Sequence, residues 1–241
     1  MIKVSFCRYE LKFLIDWKIY TDLRKRILPF VRPDNYGSPE GTYNILSLYY
    51  DSPNYDCYYD KIDGQGERYK LRLRWYLDNQ SPSEYAHLEL KKKHNGSILK
   101  ERLKVKKDLV SEFLKGNTGS ISHASMGKYD MNTAKKMLYY IEMQQLKPVV
   151  YTNYIREAYE CTTEHRLRIT FDMKISCQKY GEKEFGSCSK KYIFNPYYMV
   201  LEIKGFDCIS LWLMNILNEY NLQQKAISKY CMALDKAVLI N

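Results

Sequence analysis

Lysine and arginine recur at every second position in stretch after stretch of this chain, a spacing suited to gripping a string of anionic groups. The densest stretch sets Lys70, Arg72 and Arg74 against Leu71, Leu73 and Trp75. The alternation returns at Arg8, Glu10, Lys12; at Glu89, Lys91, Lys93; at Lys100, Arg102, Lys104, Lys106; at Arg166, Arg168, Thr170, Asp172; and at Glu202, Lys204. Successive residues of a strand face opposite sides of a sheet, so each stretch predicts one apolar face and one cationic face. Arg72 and Arg74 then stand about 7 Å apart on one face, which suits adjacent phosphate groups met by fork-shaped donors. Few carboxylates break these faces. That sign bias points to cationic faces converging on one polyanion.

The 241 residues carry a net charge of +10 and a pI near 9.1, which favours an anionic partner: nucleic acid, phosphate compounds or an anionic membrane surface. Twenty-four tyrosines suit both strands and stacking on bases. Seven scattered cysteines without a C-x-x-C pair argue against a disulfide framework or a zinc knuckle, and for a reducing compartment. The four histidines form no H-x-x-x-H pair. Met1 leads almost directly into a strand pattern, and no apolar run approaches the roughly 20 residues that span a bilayer. The expectation is a cytoplasmic protein with no membrane span of its own.

The elements that must position these side chains follow from periodicity and breakers. Strands are predicted at 3–15 and 43–51, with a helix between them from Asp16, as N-cap, to Pro29. Asp51-Ser52-Pro53 breaks the second strand, and a short helix over 54–62 closes at Gly64. Three long strands at about 67–78, 84–94 and 98–106 are joined by turns at 78–82 and Asn95-Gly96. A short helix at 109–114, a polar loop at 116–127 and a helix over 129–145 precede strands at 148–159, 165–177 and about 190–204. A polar loop covers 179–189, and helices at 207–221 and 228–240, the latter capped by Ser228, end the chain. Without a repeat or linker, residues 1–241 are expected to form a single domain. Two architectures suit the pattern: an open sheet packed on helices, whose charged faces look into water, and a closed barrel clad by helices, whose charged faces line a tunnel. Barrels remove exposed edges and solvent-facing strands seldom carry so many arginines and so few acids, so the expected class is α+β, an eight-stranded antiparallel barrel tunnel clad by helices.

The segments RYELKF at 8–13, SLYYDSP at 47–53, YKLRLRWY at 69–76, HLELKKK at 87–93, KERLKV at 100–105, YIREAY at 154–159, LRITFD at 167–172, VLEIKG at 200–205 and ISKY at 227–230 together resemble the VTC-type polyphosphate polymerase domain, in a stand-alone form. That domain is a branch of the triphosphate tunnel metalloenzymes, which include the CYTH phosphatases and cyclases. The resemblance implies an eight-stranded antiparallel tunnel that transfers the γ-phosphate of ATP to a growing inorganic polyphosphate chain, with Mn²⁺ or Mg²⁺. Yeast relatives also carry a regulatory domain and membrane spans, so a separate membrane partner would have to supply any export.

The resemblance assigns Arg72, Arg74, Lys91, Arg156 and Arg168 to catalysis, and Lys12, Lys204 and Arg102 to phosphate binding. Lys100 shares the parity of Arg102 and competes for its role. Ser228 and Lys229 match a phosphate-binding position that a helix N-terminus would reinforce. Magnesium and manganese take hard oxygen ligands, and the family match makes Glu202 the metal ligand, with Glu10 and Glu89 as second candidates on the same parity. Asp172 is expected to be a structural partner. Lys70, Lys93, Lys104, Lys106 and Arg166, nearer strand ends, either give the tunnel mouth its field or are plain exposed cations. Phosphoryl transfer rests on positioning and charge neutralisation, in keeping with the lack of a nucleophile motif.

Three rivals stand beside this reading. A triphosphatase on the same fold would give the phosphate to water, but CYTH phosphatases typically open with Glu-x-Glu-x-Lys, where this chain has Arg8-x-Glu10-x-Lys12. A non-catalytic RNA- or DNA-binding module would interleave exposed lysines with surface aromatics, whereas the tyrosines cluster at 49–59 and beside strands; no nucleic acid is expected. The third is a polyphosphate-binding sensor without turnover.

Overall fold

A computed structural model describes residues 8–35, 38–78, 81–94, 97–115, 128–164, 166–182 and 191–239. The start of the first expected strand, the turns at 79–80 and Asn95-Gly96, the loop at 116–127 and most of the loop at 179–189 lie outside the described residues. Along the chain come β1 (Arg8–Asp16), α1 (Trp17–Ile27), β2 (Val31–Pro33), β3 (Thr42–Asp51), α2 (Asp56–Ile62), β4 (Arg68–Asp78), β5 (Ser81–Pro82), β6 (Tyr85–His94) and β7 (Ser97–Lys106). After them come α3 (Val110–Leu114), α4 (Lys128–Met143), β8 (Lys147–Cys161), β9 (Arg168–Lys179), β10 (Lys191–Tyr192), β11 (Tyr198–Phe206), α5 (Leu211–Asn218) and α6 (Lys229–Leu234).

Hydrogen bonding orders the long strands β1-β11-β9-β8-β3-β4-β6-β7, with β10 on β9, β2 on β8 and β5 on β4. The pairs β1–β11, β11–β9, β2–β8, β4–β5, β4–β6 and β6–β7 are antiparallel. The path is open, because β1 and β7 end it without pairing to each other among the described residues. The closed barrel expected from the sequence is therefore not formed. On β1 the physical reason is visible. Lys225 donates its backbone N–H to the Lys12 carbonyl at 2.8 Å and Gln224 bridges to Phe13, so a loop segment occupies that edge.

The chain divides into two compact units, Met1–Asn44 with Tyr154–Ser176 and Tyr192–Ser228, and Ile45–Asn153 with Cys177–Lys191 and Lys229–Asn241. In the first unit the apolar parity of β1, β11 and β9 forms one face: Leu11, Ile203 and Ile169 in one row, Phe13, Leu201 and Phe171 in the next. α1 and α5 cover that face with Tyr20, Leu23, Ile27, Leu213, Ile216 and Leu217. Asp16 starts α1 by accepting the Ile19 N–H at 2.8 Å. Glu157 points to the same side, buried, accepting from Tyr20 Oη at 2.5 Å, Arg24 Nε at 2.6 Å and the Tyr159 hydroxyl.

In the second unit the apolar parity of β4, β6 and β7 pairs Leu73 with Leu88 and Leu88 with Leu103, all buried. Asp51 ends β3 and accepts N–H bonds from Cys57 at 2.9 Å and Tyr58 at 3.1 Å, which satisfies free donors in the first turn of α2. The expected strand over 190–204 is instead β10 and β11, interrupted because Asn195 accepts from both Tyr197 N at 3.0 Å and Tyr198 N at 2.8 Å beside Pro196. The expected last helix is α6 followed by a wider π-type turn over Asp235–Leu239.

Candidate functional site

Register on β4, β6 and β7 stacks the charged parity into rows. Lys70 stands opposite Lys91 and Lys91 opposite Lys100; Arg72 opposite Glu89 and Glu89 opposite Arg102; Arg74 opposite His87 and His87 opposite Lys104. Glu89 lies at the middle of the second unit's cluster and is buried at 2% exposure. Its Oε2 takes Arg72 Nε at 2.7 Å and Nη2 at 2.6 Å, with Arg74 Nη2 at 3.7 Å. Its Oε1 takes Lys100 Nζ at 3.0 Å and Arg102 Nη2 at 2.8 Å. Burial alone would raise this carboxyl, but Arg72, Arg74 and Lys100 outweigh it and hold the group well below the usual carboxylate range. Four cations thus share one carboxylate, and the cluster keeps a positive surplus.

Tyr49 backs this cluster from β3. Its hydroxyl accepts from Arg72 Nη1 at 3.2 Å, and its ring centre lies 5.1 Å from that of Tyr230 on α6. Tyr230 in turn donates to Asp51. The N-terminus of α2 therefore fixes Asp51, Asp51 fixes Tyr230, and Tyr230 packs against the tyrosine that holds Arg72. Burial would push the Tyr49 phenol up, but Arg72, Arg74 and Lys229 pull it below its ordinary value. Lys91 is exposed in the row between Lys70 and Lys100. Lys229 opens α6 and Ser228 precedes it; both are half-buried.

The first unit builds a different cluster on β1, β11 and β9, where Glu10 stands opposite Lys204, Lys12 opposite Glu202, and Glu202 opposite Thr170. Lys12 Nζ lies 2.9 Å from Glu10 Oε1 and 3.5 Å from Glu202 Oε1. Lys204 Nζ reaches Glu202 Oε2 at 2.7 Å, and Arg156 Nη2 lies 3.6 Å from that oxygen. Asp172 holds Arg156 through two bonds, 2.6 Å to Nε and 2.8 Å to Nη2. Burial works against the Arg156 charge, but Asp172 outweighs it and keeps the guanidinium protonated. Burial also pushes the Lys204 ammonium down to about 8, with Glu202 and Glu10 partly offsetting it. Arg168 is held by buried Asp34 and by Tyr43 Oη at 2.8 Å.

The family model of the VTC domain matches residues 7–238. The chain belongs to the VTC domain family. This VTC domain is similar to vacuolar transporter chaperone complex subunit 4 of Trypanosoma brucei brucei, 24% identical over 88% of the chain, and to its namesake in Schizosaccharomyces pombe, 28% identical over 55% of the chain. The matched stretches make up 29% and 20% of those two relatives, so the chain spans less than a third of either. Two solved structures share its fold. One, from Hippeastrum, is provisionally assigned as an adenylyl cyclase and described as having a dominant triphosphatase activity; it has TM-score 0.53, 14% identity, and covers 97% of this chain and 98% of its own. The other, provisionally assigned as an adenylate cyclase of Bacillus halodurans, has TM-score 0.51, 14% identity, and covers 93% of this chain and 96% of its own. No helix among the described residues is long and apolar enough to cross a membrane.

Within this VTC domain the sequence-predicted residues fall into two groups by unit. Arg72, Arg74, Glu89, Lys91, Lys100, Arg102 and Lys229 belong to the second; Glu10, Lys12, Arg156, Arg168, Glu202, Lys204 and Ser228 belong to the first. Asp172 is the structural partner of Arg156. Sequence reasoning missed Tyr49, Asp34 and Tyr43, which hold the arginines, and Tyr230, which packs against Tyr49. For Tyr49 a signal existed, since it shares parity with Asp51 on a strand ending in a helix cap. Asp34 carried none, because its contact depends on where a loop lands.

Proposed function

We propose that this VTC domain is a phosphotransferase that moves the γ-phosphate of ATP onto an inorganic polyphosphate chain. The observation that carries this reading is the cluster in which Arg72, Arg74, Lys100 and Arg102 share the single buried carboxylate of Glu89. A fixed cationic surplus is what the transferring phosphates need, since most of the catalysis lies in neutralising and aligning them. Arg72, anchored on one side by Glu89 and backed by Tyr49, is held in place before any ligand arrives. Arg74, buried in the neighbouring row, adds charge to the same cluster. Lys91, Lys100 and Arg102 face more water and bind phosphates that enter or leave. In the first unit Lys12, Arg156, Arg168 and Lys204 bind further phosphate groups, as do Ser228 and Lys229 at the start of α6.

A divalent ion, Mn²⁺ or Mg²⁺, fits Glu202 and Glu10 better than Glu89. Cations hold both oxygens of Glu89 at 3.0 Å or closer, whereas at Glu202 only Oε2 is held so closely, by Lys204 at 2.7 Å, and Lys12 stands 3.5 Å from Oε1. Glu10 and Glu202 instead flank one lysine, and a hard ion with phosphate oxygens needs only one or two carboxylates. Among the described residues no group of three or more His, Cys, Asp or Glu is placed to hold a metal by itself. Bound there, the ion would supply positive charge to phosphoryl oxygens. By their printed names the relatives are complex subunits, which supports assembly of this domain with other chains; a separate membrane partner is part of the same proposal.

The test is incubation of the purified protein with ATP and MnCl₂, followed by gel separation of the phosphate products. Chains with ADP are expected. ADP with orthophosphate alone would replace this reading with the triphosphatase. Tight polyphosphate binding without turnover would replace it with the sensor.

A further inference from the structure

Thr170 sits on β9 between Arg168 and Asp172, on the parity opposite the core residues Ile169 and Phe171. Across the sheet its Cα partner is Glu202. Arg156 touches both Asp172, two residues along the same strand, and Glu202, directly across from Thr170. Thr170 therefore occupies the corner shared by the two carboxylates that Arg156 bridges. It is 2% exposed, and its hydroxyl has no hydrogen-bond partner among the described residues. A hydroxyl buried without a partner destabilises a fold, and a valine would fill the same shape on a strand without that penalty. A threonine here calls for a partner that arrives from outside the protein, and its surroundings select an anion: Lys204, Lys12 and Arg156 all converge on the adjoining Glu202.

We propose that Thr170 is a substrate-contacting residue whose Oγ1–H donates to a phosphoryl oxygen of a triphosphate bound among Lys12, Arg156 and Lys204. The assignment rests on the phosphotransferase reading for the identity of the ligand. Carboxylates cannot donate, and Arg156, Lys12 and Lys204 already spend donors on Asp172, Glu10 and Glu202, so the hydroxyl adds a further short directional bond. A hydrogen bond to a charged oxygen in a buried setting is among the stronger ones.

Three proteins test this: wild type, Thr170→Val and Thr170→Ser. Each is melted without ligand and titrated calorimetrically with inorganic triphosphate, once in metal-free buffer and once with MnCl₂. Thr170→Val should melt at or above the wild-type temperature, because an unsatisfied hydroxyl has gone, yet bind triphosphate roughly ten- to a hundred-fold more weakly. Thr170→Ser, which keeps the donor, should stay within about three-fold of wild type by the same reasoning. Unchanged affinity in Thr170→Val in both buffers would overturn the proposal while leaving the phosphotransferase reading intact. So would a lower melting temperature or failure to fold in that variant, since the hydroxyl would then have a structural partner. A wild type that binds no triphosphate in either buffer would overturn both.

Discussion

The two charged clusters differ in sign balance, and under the phosphotransferase proposal that difference gives them different work. Around Glu89 four cations face one carboxylate; around Glu202 the cations Lys12, Arg156 and Lys204 face Glu10, Asp172 and Glu202. A surplus of fixed cations attracts phosphate on its own. A balanced cluster does so weakly until a divalent ion or a second anion changes the balance. Under the proposed function, the same alternation of charge along strands would then serve as an anion clamp in one unit and as a metal site in the other. Carboxylate number decides which.

Removing the clamp should have the largest effect. Arg72→Ala loses a guanidinium held by both Glu89 and Tyr49, and we expect kcat/KM for chain synthesis to fall by about 10²–10³-fold, as when one preorganised donor is deleted. The fold should survive, because Glu89 retains Arg74, Lys100 and Arg102 as partners. Thermal melting beside a steady-state assay separates the two effects. Undiminished synthesis would show that the positive surplus does not act on substrate.

The two central glutamates should then fail in opposite ways. Glu202→Gln should abolish metal-dependent turnover while triphosphate affinity measured without metal holds or rises, because a repelling charge has gone. Glu89→Gln should leave the metal dependence in place and lower stability at neutral pH by about 2 kcal/mol, less than roughly 3–5 for a fully enclosed pair because Lys100 and Arg102 reach solvent. The sign of the pH effect follows from linkage. The folded Glu89 carboxyl is held below its ordinary range, so its contribution is present above the unfolded pKa and is lost as pH falls through and below the ordinary carboxylate range. Acid melting curves should be flatter for Glu89→Gln than for wild type. Equal loss of metal dependence in both variants would erase the distinction between the clusters.

Much of this was legible in the chain because strand parity is a strict period of two. Arg72 and Arg74, Glu10 and Lys12, and Glu202 and Lys204 share faces as the alternation requires. Asp16 as a helix start was equally plain, since capping is a local event. Sheet closure was not legible: it depends on which segment reaches the outer edge of β1, and residues 224–225, distant in sequence, take it. Nor did the pattern show that Glu89 would be held by three arginines and a lysine, because a lone carboxylate on a cationic face looks the same in sequence whether it meets a metal or four side chains. Register across three strands separates those outcomes.

The smallest expected effect lies in the pH dependence of the balanced cluster. Lys204, facing Glu202, Glu10, Arg156 and Lys12, has its ammonium pushed down to about 8 by burial. Below that pH it is charged and attracts phosphate; as pH rises through 8 it becomes neutral, and metal-free affinity for inorganic triphosphate should decline several-fold. A bound anion favours the protonated lysine, so binding above pH 8 should take up a proton, detectable as a heat that varies with the ionisation enthalpy of the buffer. Lys204→Arg keeps the charge at every accessible pH and should flatten the decline. Lys100 in the clamp is also shifted down by burial. Lys100→Arg is therefore the necessary companion, expected to leave most of the decline in place because Arg72, Arg74 and Arg102 maintain the surplus there. If Lys100→Arg flattens the curve and Lys204→Arg does not, triphosphate without metal is bound at the clamp, and the balanced cluster engages it only when the metal is present.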